Sequence, residues 1–198
     1  MKSILVLVLL FAVAQFAFAE ITENYGWEGT QTILGNYGDI IATIDTEQTH
    51  GGSQSLKLVD DDESGTPQAY VGWVVGLSDG DQVTASFWRY DTTPTAPPSC
   101  RIWGGWNDDP DDIYDYGGSA SGQSDYGPGT GWDLAEYSWT VEGGHSGLVI
   151  QVRTYSEAGA TVWVDDLTIT APDGAEIRTP DYSAALSPDT WAAIKATF

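Results

Sequence analysis

Cysteine is almost missing from this 198-residue chain: Cys100 is the only one, so no intramolecular disulfide can form in any compartment. The core must be held by packing or by a metal. At the head of the strand-like segment 100–103 a lone cysteine reads as a small buried hydrophobe, with a nucleophile or an intermolecular bridge as the alternatives. Basic residues are nearly as scarce: seven Lys and Arg face 29 Asp and Glu, a formal net charge of −22. Such a surface repels nucleic acid and anionic lipid alike. Helical periodicity is lacking until the last dozen residues. After residue 19 no apolar run approaches the roughly 20 residues that a membrane span requires.

What is present begins with a leader. Lys2, the apolar run 4–14 and the small residues Ala17 and Ala19 match a secretory signal peptide over 1–19, so a secreted, extracellular or cell-surface location is expected. From there to the C-terminus the commonest signal is period 2. Candidate strands are 40–45, 54–59, 69–75, 82–90, 100–103, 134–141, 148–155 and 161–170, separated by Gly-rich turns such as 50–53 and 142–145. Many short strands with polar turns predict an all-β, antiparallel β-sandwich or jelly roll in one domain over 20–172. The stretch 107–133 is rich in Asp, Gly, Ser and Tyr and reads as a long loop that is either functional or mobile. A linker over 173–186 would follow. Ser187 then offers an N-cap before Pro188, and Trp191, Ile194 and Phe198 form one stripe of a short amphipathic C-terminal helix over 187–198.

Three segments carry a resemblance: Asn24-Tyr25-Gly26-Trp27-Glu28-Gly29, then Thr49-His50-Gly51-Gly52-Ser53 with the strand after it, then Val162-Trp163-Val164-Asp165-Asp166. Together, over 24–170, they resemble the galactose-binding-like jelly rolls, in particular carbohydrate-binding modules of the family 4, 9 and 22 type. The resemblance implies a structural Ca²⁺ that joins the two ends of the domain. Glu28 and Asp165 would supply carboxylates, and the turn from Thr49 to Gly52 backbone carbonyls, a mixture calcium accepts readily. Alternation from Val162 and Val164 puts Asp166 on their side, whereas the resemblance favours Asp165, so both stand as candidates. Without a metal, Glu28 and Asp165 are ordinary acids at strand ends.

Nine Trp and ten Tyr exceed what one sandwich core needs. Alternation turns Trp88, Tyr90, Arg101, Trp103, Gln151, Arg153 and Tyr155 away from the core, and they are expected to line one sheet face. Flat rings suit the C–H faces of pyranoses, and Gln and Arg suit their hydroxyls. Two of the few basic residues, Arg101 and Arg153, stand beside these rings, which points toward a uronic-acid or otherwise anionic glycan. The alternative is that the 107–133 loop covers Trp88 and Trp103 as a second, smaller core. His50 and His145 lie in Gly-rich turns without triad or metal-ligand spacing. The reading is therefore a secreted, non-catalytic polysaccharide-binding protein with a structural calcium. A surface-attached structural or adhesive subunit assembling through the C-terminal helix is the alternative, and a polysaccharide lyase or glycosidase ranks third.

Overall fold

A computed structural model describes residues 19–92, 100–125, 130–155 and 158–182. The expected leader up to residue 18 and the expected C-terminal helix lie outside these residues. The described residues form no helix, and therefore none long and apolar enough to cross a membrane. They form twelve strands: β1 (Glu20–Tyr25), β2 (Gly35–Tyr37), β3 (Ile40–Asp45), β4 (Ser55–Asp60), β5 (Gln68–Val75), β6 (Gln82–Asp91), β7 (Arg101–Asn107), β8 (Gly118–Gly122), β9 (Gly131–Thr140), β10 (Gly147–Arg153), β11 (Thr161–Pro172) and β12 (Glu176–Arg178).

The strands build two antiparallel sheets. The first runs β3-β4-β11-β6-β9, with β1 continuing along the edge of β11 that β4 leaves free; the second runs β12-β5-β10-β7-β8, with β2 also on β5. In β6 alternate residues are buried, and Val83, Ala85 and Phe87 point into the space between the sheets. There they meet Leu148 and Ile150 of β10 and Leu167 and Ile169 of β11. Facing apolar sides of two pleated sheets give a sandwich core about 10 Å thick. Cys100 is fully buried within it. At Gly72 a Cβ would collide with the tip of Ile169, so the two sheets approach closely there.

Eight expected strands are present and four were not foreseen. β1 is mostly exposed and buries only Tyr25. β8, Gly-Ser-Ala-Ser-Gly, has almost no side-chain signal and is held by its backbone ladder to β7. β12 lies inside the expected linker: it pairs with Trp73 to Val75 at the edge of β5 and buries Ile177. The sandwich thus extends beyond residue 172, because a three-residue ladder and one apolar side chain suffice to hold the chain there.

Candidate functional site

The expected aromatic face is split between the two outer surfaces of the sandwich. Trp88 and Tyr90 belong to β6 of the first sheet, whereas Arg101 and Trp103 on β7, Gln151 and Arg153 on β10, and Tyr155 just beyond β10 belong to the second. Alternation places a side chain on a face of its own sheet and is silent on which sheet that is.

On the first sheet Trp88 is covered, though by a different loop from the one expected. The ring of His50 stacks on it with centroids 4.0 Å apart and planes 13° from parallel, and Trp132 meets His50 edge-on. Tyr90 packs between Trp132 and Trp163. The turn bearing His50 reaches this surface because β4 pairs with β11 only as far as Val164 and β1 begins at Leu167, leaving Asp165 and Asp166 unpaired on that edge. On the other side, the ladder to β6 is irregular between Asp165 and Thr168, and Asp166 takes the left-handed conformation with φ 48°. A bulge shifts the alternation by one residue, so Val162, Val164, Leu167 and Ile169 all stay buried in the core.

The bulge also settles the placement of the two acids. Asp165 is fully buried beneath the turn, with His50 N–H and Gly51 N–H donating to its Oδ2 at 2.9 and 3.0 Å and Asp166 N–H donating to Oδ1 at 2.8 Å. Burial pushes its carboxyl above the usual carboxylate range, against the lowering effect of these bonds. Asp166 points outward, its Oδ2 2.6 Å from His50 Nδ1. Glu28 reaches the far side of the same turn: Ser53 N–H, Gln54 N–H and Ser53 O–H donate to it at 2.8, 3.1 and 2.8 Å. These bonds hold its carboxyl below the ordinary value. Gly52 adopts φ 56° and packs against the Glu28 carboxylate where a Cβ would clash. The two ends of the domain therefore meet on one turn, 49–54. Thr49 lies at its start.

Beside this clasp the Gln54 side-chain amide donates to the backbone carbonyls Trp27 O and Gly29 O, both at 3.1 Å. The Glu28 and Asp165 carboxylates and the carbonyls of the turn are the oxygen groups gathered there. Oxygen donors of this kind fit calcium. Among the described residues, no three His, Cys, Asp or Glu side chains gather as a metal-ligand set.

The second sheet carries an open cleft of about 730 Å³. Its floor is Trp103, Gln151 and Tyr70, of which the last two are nearly buried. Trp103 and Gln151 are direct cross-strand partners, and the Trp103 indole N–H donates to Ser119 Oγ at 3.0 Å. The walls are Tyr37 from β2 and Tyr114 and Tyr116 from the 107–117 loop, exposed by 63, 58 and 69%. Close approach is bought with glycine: a Cβ at Gly35 would meet the Tyr114 hydroxyl at 2.8 Å, and one at Gly105 would meet the Gln151 amide at 2.9 Å and the Tyr116 ring at 3.8 Å. Asn107 pins the loop, its amide donating to Asp112 O and Asp115 O. The loop both covers and rims this face: Ile113 packs on Tyr70, Trp73 and their neighbours, while Tyr114 and Tyr116 remain exposed. The phenol of Tyr70 is raised by burial and by the adjacent phenols.

Arg153 lies along the cleft, its guanidinium 4.6 Å from the Trp103 ring centre and donating to Thr66 Oγ1 at 3.1 Å. Arg101, directly opposite in register, lies 4.0 Å from the Tyr155 ring centre. Five of the seven expected sugar-binding residues are thus neighbours. Tyr37, Tyr114 and Tyr116 complete the cleft, of which the sequence marked only the Tyr-rich stretch that bears the last two.

The fold is a two-sheet antiparallel β-sandwich, the architecture of the solved structures that the chain resembles. The chain is similar to the CBM22-1 xylan-binding domain of Paenibacillus barcinonensis Xyn10C, with TM-score 0.52 and 18% identity over 79% of this chain and 97% of that one. It is also similar to the CBM22-1-CBM22-2 tandem of the same protein, with TM-score 0.55 and 18% identity over 81% of this chain and 48% of that one. The CBM22-1-GH10 modules of Clostridium thermocellum Xyn10B, complexed with xylohexaose, give TM-score 0.55 and 12% identity over 81% and 29%. At these identities the likeness shows the fold alone. Neither a protein-family model nor a curated protein matches the sequence.

Proposed function

We propose that the protein is an exported, non-catalytic carbohydrate-binding module that holds a polysaccharide chain in the cleft of the second sheet. One observation carries this reading: three exposed tyrosines from two separate segments stand around a polar, ring-bearing floor in a cleft whose described lining contains no Asp or Glu. Aromatic walls stack on the C–H faces of pyranose rings, and the amides and hydroxyls below pair with sugar hydroxyls. Glycoside hydrolysis by the usual route needs two carboxylates about 5–9.5 Å apart, which this lining does not offer. The solved xylan-binding neighbours support a xylan-type chain as the first ligand to try.

The test is calorimetric titration with xylohexaose and related oligosaccharides, together with insoluble-polysaccharide pull-down. Tyr116→Ala, at an exposed residue, is expected to weaken binding about tenfold while the melting temperature moves little, the direction and scale expected for losing one stacking ring. Unchanged affinity in this variant, or release of new reducing ends by the native protein, would overturn the reading. Calcium belongs to the same proposal, held at the clasp where Glu28, the turn from Thr49 to Gly52 and Asp165 meet. The melting temperature should then rise with added Ca²⁺ and fall with chelator. Indifference to both would overturn the calcium part of the proposal.

A further inference from the structure

The charged side chain in the cleft is anomalous for this protein. The chain has 29 acidic and only seven basic residues, and among the described cations Lys57, Arg89 and Arg178 each sit in an ion pair with Asp or Glu. Arg153 sits in none. Its guanidinium makes one hydrogen bond, to Thr66, and its Nε is buried without a partner. A guanidinium has five N–H donors, so most of its capacity is unspent beside an open cleft. A buried donor left without an acceptor is costly.

The position compounds the anomaly. Arg101 and Arg153 are direct cross-strand partners, an arrangement of like charges that ordinarily destabilises a sheet. Here the two cations are interleaved with Trp103 and Tyr155, each guanidinium within 5.4 Å of both ring centres. The rings fix the fork of Arg153 in place before any ligand arrives. No carboxylate is among the described residues that line the cleft. The net negative charge of the rest of the surface is screened beyond about 8 Å at physiological ionic strength, whereas a ligand carboxylate would meet Arg153 at contact.

We infer that the cleft is built for an acidic polysaccharide, one whose backbone lies among the tyrosines and whose uronate carboxylate is taken by Arg153. Charge-assisted, two-point pairing with a planar carboxylate is the recognition for which a preset guanidinium is best suited. This inference rests on the cleft being the glycan site, and the experiment separates the two. Native protein is titrated with three probes: undecorated xylohexaose, a xylo-oligosaccharide bearing one glucuronic acid branch, and the same branched compound as its methyl ester. The acid form is expected to bind about tenfold more tightly than its ester, and in Arg153→Gln that ratio is expected to fall to about one. Arg153→Lys, which keeps the charge without the fork, should give an intermediate ratio. Equal binding of acid and ester by the native protein overturns the inference while leaving the glycan site intact, and so does a ratio that survives in Arg153→Gln. If none of the three probes binds, the glycan reading itself fails, and the inference with it. The native comparison needs no variant, so poor folding of a substituted chain cannot shelter the claim.

Discussion

Replacing Trp88 by Ala separates the two aromatic surfaces most sharply. Its ring lies under His50 at 4.0 Å, and its strand partner on β11 is the fully buried Asp165. A Trp buries about 150–250 Å². Taking the low end at about 25 cal/mol per Å² gives roughly 4 kcal/mol, with a stacked aromatic pair adding about 1 kcal/mol. Extended-chain areas overstate burial by up to about 40%, which brings the expected loss to about 3 kcal/mol. For a domain of this size each kcal/mol lowers the melting temperature by about 2–4 °C, so Trp88→Ala should melt about 6–12 °C lower in differential scanning calorimetry. Its affinity for any glycan that the native protein binds should be unchanged, because the cleft lies on the opposite sheet. A variant that melts normally and loses binding would refute this assignment. It would restore the single aromatic face that alternation alone suggested.

Two further outcomes follow from the titrating groups. Glu28 has its carboxyl lowered by the Ser53 and Gln54 bonds, so its contribution is present above the unfolded carboxylate pKa of about 4.3 and is lost as pH falls through the folded value. Glu28→Gln should therefore melt lower than the native protein at pH 7 and converge with it in melts near pH 2. A constant gap across that range would contradict the role of the charge. Asp165, raised by burial, has the opposite slope, costing stability as pH rises through its shifted range. The Cys100 thiol is pushed up to about 12 by burial, so a chromogenic disulfide reagent at pH 8 should leave the native protein untouched and titrate one thiol after unfolding. Stoichiometric reaction with native protein within minutes would place Cys100 at the surface.

The local facts were legible because they depend on neighbours in sequence. Period-2 patterning marked β3, β4, β6 and β11 and turned Trp88, Trp103, Gln151 and Arg153 outward. The scarcity of basic residues already singled out Arg101 and Arg153. The three quoted segments announced that the two ends of the domain meet on the turn after β3. β8 was illegible because Gly-Ser-Ala-Ser-Gly has no apolar face to alternate, and β12 because three residues are too few to show a period.

Tertiary structure decided everything that depends on which strand lies beside which. Strand pairing sent Trp88 and Trp103 to opposite surfaces, since the pleat fixes a side chain's face and only the ladder fixes its sheet. A bulge at Asp166 turned Asp166 outward, reversing the side that strict alternation assigns to it, while Asp165 lay under the turn. Pairing also brought Tyr37, Tyr114 and Tyr116, nearly eighty residues apart at the extremes, around one floor, because hydrogen bonds between distant strands set positions that no local period encodes.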